Sequence, residues 1–383
     1  NTGGDGPKTS NSTIEVAIIT GANLVKDINP NTTTEIQGSQ TVTVGIGSNP
    51  SNLTAIGNTL YFSADDGFGG VELWRSDGTE AGTTLVKDIN TTFSNNSSPN
   101  NLTQVGNILY FTADNGVNGT ELWQSDGTEA GTVLVQDLVA GSLGSNPANL
   151  ISFNNRLFFR ATDASGVSSI YQIPSPGQAP VRLTAAYNQP SRLTVVGNSL
   201  FFAAVSGGGN TQLWKTDGTN GGTVLVQDLG APASFSNPIA IGNSLFFTAT
   251  NSFGNELWRS NNTTGVTERV SDINPAGSSN PRNLVNLGGT LYFLASNGSA
   301  EGLYRMTETG TTPSLVQSLS AGQVLSNLTV VGSSLFFTVR NGSEFQLWRS
   351  DGTTVTQVNS TTYSSLSSLT SVGGNLFFVG TDT

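Results

Sequence analysis

One short motif recurs along the chain at intervals that constrain the fold more than any other feature. The triplet Leu-(Tyr/Phe)-Phe occurs eight times, at spacings of 49, 48, 43, 45, 46, 44 and 41 residues. An aromatic residue follows each of the first seven leucines by 13 or 14 residues, and an Asp follows four of these aromatics by 14. Because three landmarks stay in phase, the sequence predicts a repeating unit of about 45 residues. The leucines are Leu60, Leu109, Leu157, Leu200, Leu245, Leu291, Leu335 and Leu376.

Each unit has the pattern of four short β-strands. In the first unit, strong β-formers alternate with the turn dipeptides Gly57-Asn58 and Asp77-Gly78, which indicates hairpins. No window shows the apolar spacing of a helix. The predicted strands A, B, C and D cover residues 52–56, 59–64, 71–76 and 84–89.

Strand B favours one architecture. Its apolar residues are consecutive, so both faces of the strand are expected to be buried, whereas a sheet with one wet face would alternate. Four-stranded units that bury both faces by stacking radially are propeller blades. The sequence therefore predicts an all-β fold, an eight-bladed β-propeller of four-stranded antiparallel blades. A linear β-solenoid is the alternative, although its repeats are usually shorter and its strands parallel.

The eighth blade is predicted to be composite. Residues 13–19 resemble strand C and residues 23–28 resemble strand D, while the last residues supply strands A and B. Joining the two ends in one blade would remove exposed sheet edges. We thus expect a single domain over residues 1–383, with an inserted connector at 29–49 that carries an extra hairpin. The predicted blades cover about 50–90, 99–139, 147–187, 190–230, 237–274, 281–320 and 325–360, and blade 8 combines 13–28 with 366–383.

Composition excludes several classes of function. The net charge is −11 and no basic cluster occurs, so nucleic-acid binding is not expected. No apolar run approaches the roughly 18 residues of a membrane span, so we expect no membrane insertion. The chain has no Cys and no His, which removes disulfides, thiolate chemistry and every His-dependent triad. A polar surface with only 11% charged residues suits a secreted, extracellular or cell-surface protein.

Strand C and the turn after it carry a specific motif. Residues 72–79 (ELWRSDGT) and 121–128 (ELWQSDGT) have close variants at 212–219 and 346–353. These segments resemble the signature of ELWxxDGT-repeat proteins, a bacterial group often predicted to be secreted. The resemblance spans nearly the whole chain and implies a surface or extracellular propeller-like protein. It brings no established catalytic residues.

Two predicted B–C loops are rich in oxygen ligands and bent by glycine. Calcium takes six to eight oxygen ligands, so it is the one candidate cofactor, although the spacing matches no EF-hand. The Asp-Gly-Thr turns, by contrast, are explained by turn chemistry, since Asp accepts hydrogen bonds from turn amides. The candidate calcium ligands are Asp65, Asp66, Glu72, Asp114, Asn115 and Glu121.

A few aromatic residues fall outside the repeat. Aromatics in register with the repeat are expected to pack between blades, whereas those in B–C loops and D–A connectors would share one face of a propeller. The second group are therefore candidate ligand-binding residues, with local loop packing as the alternative. They are Phe68, Phe93, Tyr187, Phe235, Phe253 and Tyr363.

Three functional hypotheses follow from these features. The first is a non-enzymatic binding or adhesion module that presents loops to a surface glycan or protein partner. The second is a self-associating structural subunit of an extracellular sheath, filament or surface layer. The third is a carbohydrate-active enzyme, a hydrolase or lyase, that uses carboxylates only. The lack of His and Cys makes the non-enzymatic module the favoured expectation.

Overall fold

The computed structural model is built from β-strands joined by turns. It describes residues 25–37, 40–91, 96–183, 188–231, 233–270, 272–320, 322–372 and 374–382. These residues contain no helix, and so none with the length and apolar character that a membrane crossing requires. The chain divides into two compact units, one of residues 24–321 and the other of residues 1–23 with 322–383. The two units are described separately.

The larger unit begins with a hairpin and continues with six antiparallel sheets, each of four strands in the order A-B-C-D. The hairpin is β1 (Thr32–Gln37) and β2 (Gln40–Gly45), in the segment where alternation predicts one. The first sheet is β3 (Ser51–Ile56), β4 (Thr59–Asp65), β5 (Val71–Ser76) and β6 (Thr84–Lys87). The second is β7 (Asn100–Val105), β8 (Ile108–Asp114), β9 (Thr120–Ser125) and β10 (Val133–Gln136). The third is β11 (Ala148–Phe153), β12 (Arg156–Thr162), β13 (Ser168–Ile173) and β14 (Val181–Arg182).

The remaining sheets of the larger unit repeat this arrangement. The fourth is β15 (Asn188–Val196), β16 (Ser199–Val205), β17 (Thr211–Thr216) and β18 (Val224–Gly230). The fifth is β19 (Ser234–Ile241), β20 (Ser244–Asn251), β21 (Gly254–Asn261) and β22 (Thr267–Arg269). The sixth is β23 (Arg282–Leu287), β24 (Thr290–Ser296), β25 (Glu301–Thr307) and β26 (Ser314–Ser318). The prediction of four-stranded antiparallel units is confirmed in all six.

The smaller unit holds a seventh sheet of the same kind and a further strand pair. Strand β29 is bonded to β28, to β30 and, through the single pair Phe345–Tyr363, to β31. Strands β31 and β32 fall where strands A and B of an eighth unit are predicted. The strands are β27 (Gln323–Val331), β28 (Ser334–Asn341), β29 (Glu344–Ser350), β30 (Val355–Gln357), β31 (Tyr363–Val372) and β32 (Asn375–Asp382).

The core of the larger unit lies between successive sheets, and the Leu-(Tyr/Phe)-Phe triplet builds it. The middle aromatic faces the next sheet, as Tyr61 of the first sheet does by packing with Leu109 and Phe111 of the second. The flanking Leu and Phe face the preceding sheet, so both faces of strand B are buried. The same packing joins the second sheet to the third, and so on to the sixth. This confirms the expectation that strand B is covered on both sides.

A bulge at the start of strand A is a second repeated feature. In the first sheet, the register shifts between Ser51 and Thr54, and Asn52 between them has φ +55°. Residues with positive φ occupy the same place in other sheets, most of them Asn, which tolerates this conformation better than most residues. The others are Asn101, Asn149, Arg192, Asn237, Asn283 and Asn327.

Polar contacts also link the sheets through their C–D turns. Arg75 of the first sheet donates to the Gly127 carbonyl in the C–D turn of the second, at 2.9 Å. Arg259 of the fifth sheet donates to the Glu308 and Gly310 carbonyls of the sixth, each at 2.7 Å. In both cases the residue after the strand-C tryptophan holds the C–D turn of the next sheet by hydrogen bonds.

Residues 25–31 contact the face of the first sheet that points away from the second sheet, as a strand D would. Ile28 packs against Phe62 and Trp74, as Ile89 packs against the second sheet. Lys26 donates to the Thr83 carbonyl at 2.9 Å, as Lys87 donates to the Thr132 carbonyl at 2.9 Å. Residues 25–28 nevertheless form no strand, which differs from the predicted pairing over 23–28. The predicted strand C at 13–19, together with residues 23 and 24, lies outside the described residues.

The turn glycines predict a measurable asymmetry between sheets. Gly127 has φ +90°, and a Cβ there would lie 2.3 Å from the Tyr61 hydroxyl oxygen. Gly78 holds the same place in the first sheet with φ +91°, and among the described residues no atom outside its own turn lies within 4 Å of the position that a Cβ would take. We expect Gly127→Ala to lower the free energy of unfolding by roughly 1–3 kcal/mol more than Gly78→Ala, through overpacking. Urea denaturation of both variants measures the difference, and equal losses would contradict the packing.

Candidate functional site

A buried glutamate at the start of strand C anchors the connector that leads to the next sheet. Glu72, Glu121 and Glu256 are 2%, 0% and 1% exposed. Glu121 accepts a hydrogen bond from the Ser145 amide at 2.7 Å and a second from the Ser145 hydroxyl. Ser97 and Ser279 bond Glu72 and Glu256 in the same way. Burial raises the pKa of all three carboxyls.

This anchor is a repeated feature that the strand pattern alone does not predict. The signal is a second motif, Ser-(Ser/Asn)-Pro-x-Asn-Leu, which occurs at 48–53, 97–102, 145–150 and 279–284, the last three downstream of an ELW segment. In those three, the first serine lies 23 to 25 residues after the glutamate of the ELW segment. Pairing the two motifs would have identified Ser97, Ser145 and Ser279.

Where glutamine replaces the glutamate, the network changes. In the fourth sheet the Gln212 amide oxygen accepts from the Trp214 indole at 3.2 Å, and its nitrogen donates to Asp228 at 3.2 Å. Gln346 accepts from Trp348 in the same way. In the three sheets with glutamate, the indole nitrogens are buried without a partner among the described residues; they belong to Trp74, Trp123 and Trp258.

The aspartates of the Asp-Gly-Thr turns are engaged in their own turns. Asp77 accepts from the Thr79 amide at 2.9 Å and from the Thr79 hydroxyl at 2.7 Å. The bonds from Thr79 lower the pKa of Asp77, and Asp126 and Asp217 are held alike. Hydrogen bonds from Thr354 and Thr353 lower the pKa of Asp351 to about 2. These carboxylates are ionised at neutral pH and cap turns, as turn chemistry predicts.

The candidate calcium ligands are placed in different roles. Asp65 accepts from the Gly67 amide at 2.7 Å, and Asp66 accepts from the Phe68 and Gly69 amides at 2.9 Å. Asp114 and Asn115 bond their own loop amides, while Glu72 and Glu121 hold connectors. In the described part of the chain, no three acidic side chains meet in a group that could hold a metal ion. Calcium binding therefore stays a prediction.

Of the candidate ligand-binding aromatics, two are exposed in loops and two are buried in strands. Phe68 and Phe253 lie in B–C loops as expected and are 59% and 56% exposed. Phe235 and Tyr363, expected in connectors, lie within β19 and β31 and are each 7% exposed. Phe235 packs on Phe247 with ring centroids 4.8 Å apart, because strand A begins earlier there than the repeat suggests. Phe93 and Tyr187 lie outside the described residues.

Phe253 lines a cavity between the fourth and fifth sheets of the larger unit. The cavity has a volume of about 680 Å³, within the range of small-molecule sites. The end of β18 forms one wall, with Asp228 and Gly230. The other wall is formed by Asn251 at the end of β20, Phe253 in the B–C loop and Trp258 in β21. The guanidinium of Arg269 lies 4.7 Å from the Phe253 ring centroid.

The chain resembles solved structures in fold. No protein-family model and no curated protein matches it. It is similar to a prolyl endopeptidase studied for inter-domain dynamics in catalysis and specificity, with 13% identity and a TM-score of 0.52. It is also similar to oligopeptidase B from Leishmania major, with 11% identity and a TM-score of 0.50. The matches cover 80% and 81% of this chain, and 49% and 48% of those chains.

These similarities show a fold, that of the β-propeller domains of such peptidases. The chain spans about half the length of the solved structures it matches. The expectation of a non-enzymatic binding module is contradicted, since the solved structures named above are peptidases. The same finding replaces the two alternatives, a sheath or surface-layer subunit and a carbohydrate-active enzyme. Secretion and cell-surface location remain predictions from composition.

The glutamate anchor generates a stability prediction. Glu121→Ala would leave the buried Ser145 amide and hydroxyl without their acceptor, so we expect a loss of about 2–3 kcal/mol in the free energy of unfolding. Glu129→Ala, in an exposed turn of the same sheet, serves as the control and is expected to change it by less than about 0.5 kcal/mol. Urea denaturation measures both.

The raised pKa of Glu121 fixes the sign of a pH effect in the same experiment. A carboxyl whose pKa is higher in the folded than in the unfolded state contributes most below its ordinary value of 4.5, and that contribution is lost as pH rises through the folded value. Glu121→Gln removes this titration. The stability of wild type relative to Glu121→Gln should therefore fall as pH rises from 4.5. A rise would contradict a buried site that favours the neutral form of Glu121.

Proposed function

We propose that the sheets close into an eight-bladed propeller, with the eighth blade built from both ends of the chain. Strands β31 and β32 supply its strands A and B. Residues 25–31 support a strand D, because Ile28 and Lys26 make the contacts with the first sheet that Ile89 and Lys87 make with the second. The sequence of residues 13–19 supplies the missing strand C.

A cysteine pair tests this closure, and the chain offers a background without cysteine. In the first sheet, Ser63 of strand B pairs with Leu73 of strand C. The same register in the eighth blade would pair Val379 with Val16. We expect Val16→Cys with Val379→Cys to form an intramolecular disulfide under mild oxidation, seen as faster migration without reductant.

The control shifts one cysteine by one residue. Ala17→Cys with Val379→Cys puts the two side chains on opposite faces of the proposed blade, so it should not cross-link. Cross-linking of both pairs to the same extent, or of neither, would contradict the composite blade.

We infer further that the chain serves as the propeller part of a peptide hydrolase. The observation that supports this inference is the fold likeness to prolyl endopeptidase and oligopeptidase B over four-fifths of this chain and half of theirs. In such an enzyme the propeller would be one domain and would act beside the catalytic groups. The −11 charge and the loop aromatics would then serve substrate selection.

The chemistry of the chain supports the proposal that the reacting groups lie outside it. A Ser-His-Asp or Cys-His arrangement needs residues that this chain does not contain, since it has neither His nor Cys. The buried glutamates hold connectors, and the turn aspartates are ionised in their turns. We therefore place the nucleophile and its base outside these 383 residues.

Peptide cleavage by the native protein tests the proposal. Antibodies against this chain would isolate the polypeptide from its source, and internally quenched fluorogenic peptides would report hydrolysis. We expect cleavage by the native preparation and none by the recombinant 383-residue chain, with a preimmune isolation as control. An inactive native preparation would refute the hydrolase assignment, and cleavage by the recombinant chain would refute the placement of the catalytic groups.

A further inference from the structure

The cavity between the fourth and fifth sheets lies beside a short connector. Only residues 231–233 join β18 to β19, whereas residues 88–99 join β6 to β7 and residues 137–147 join β10 to β11. In the second sheet, the connector packs tightly on the B–C loop, so that a Cβ on Gly119 would lie 2.6 Å from the Gly144 amide nitrogen. Beside the short connector, the B–C loop of the fifth sheet presents Phe253, which is 56% exposed.

Asp228 brings a negative charge to this cavity. Its carboxylate accepts from the Asn210 side chain at 3.1 Å, the Gly230 amide at 2.9 Å and the Gln212 side chain at 3.2 Å. These donors are neutral; the bond from Asn210 is the main cause of the lowered pKa of Asp228, so the group is ionised at neutral pH. By contrast, Arg182 pairs with Asp163 and Arg269 pairs with Asp272. No Lys or Arg is among the described residues that line the cavity.

Aromatic groups supply the second half of the recognition. Phe253 and Trp258 both line the cavity, and a planar cation is attracted to the face of an aromatic ring. The guanidinium of Arg269 lies 4.7 Å from the Phe253 ring centroid, so this ring already makes one contact of this kind. A guanidinium combines a positive charge for the carboxylate with a planar surface for the rings, which an ammonium does not.

We propose that this cavity binds an arginine side chain of a peptide, with its guanidinium facing Asp228 and its stem lying along Phe253 and Trp258. That the ligand is a peptide rests on the proposed function; that it is a guanidinium rests on the charge and the rings of the cavity. A volume of about 680 Å³ holds an arginine together with neighbouring backbone. A net charge of −11 favours approach of a basic ligand.

Calorimetric titration of the recombinant chain tests the site. The probe is the peptide acetyl-Gly-Gly-Arg-Gly-Gly-amide, and its matched control carries citrulline, which has the same shape without the charge. We expect the arginine peptide to bind at least about tenfold more tightly than the citrulline peptide, since tenfold corresponds to a single modest charge interaction. Equal affinities for the two peptides would overturn the proposal.

Variants locate the binding. Asp228→Asn and Phe253→Ala should each weaken binding of the arginine peptide by about tenfold or more. Asp137→Asn, at the corresponding strand position of the second sheet, should leave it unchanged. Thermal melting of each variant, followed by circular dichroism, checks that it is folded. Unchanged binding in a folded Asp228→Asn variant would overturn the site, and a loss in Asp137→Asn equal to that in Asp228→Asn would show a nonspecific charge effect and do the same.

This design separates the site from the hydrolase assignment. Binding of the arginine peptide that depends on Asp228 supports the site even where the native protein cleaves no peptide. Conversely, peptide cleavage by the native protein with no preference for arginine in this titration would leave the hydrolase assignment intact and refute the site.

Discussion

Burial of both faces of strand B is the constraint on which the rest of the structure depends. A single four-stranded sheet of this kind cannot cover two apolar faces by itself, so each sheet requires a neighbour on either side. The middle aromatic of each triplet serves one neighbour, while the Leu and the last Phe serve the other. Stacking follows from this division, and so do the close turn contacts that exclude a side chain at Gly127.

The sequence predicts the parts of this fold that depend on local pattern. Strands A to D follow from β-forming runs and turn dipeptides, and the six sheets of the larger unit appear where the repeat places them. The connectors are less predictable, because their paths depend on which groups of the next sheet they meet. Phe235 and Tyr363 were expected in such connectors and instead lie buried in lengthened A strands. The anchor between Glu121 and Ser145 also escapes a strand-by-strand analysis, because its partners lie 24 residues apart.

The functional expectation failed for a different reason. The absence of His and Cys limits which chemistry this chain can perform by itself, but it does not decide whether the chain works within an enzyme. A domain can shape access to a reaction and select its substrate without supplying a reacting atom. The carboxylates of the chain are consistent with such a role, since those with shifted pKa values are bound to turns and connectors. Asp228 differs because it borders a cavity whose described lining holds no cation.

The glutamate anchor also bears on how such a chain could diversify. Each anchor begins in strand C of one sheet and ends in the segment that precedes strand A of the next. Moving a whole sheet to another position in the chain would therefore separate the glutamate from its serine. The buried carboxylate would then lie beside the donors of a different connector. The segment that can be exchanged without such a mismatch runs from strand C of one sheet into strand A of its successor. Recombination among these repeats should accordingly be tolerated best at the B–C loops, half a unit out of phase with the visible sheets.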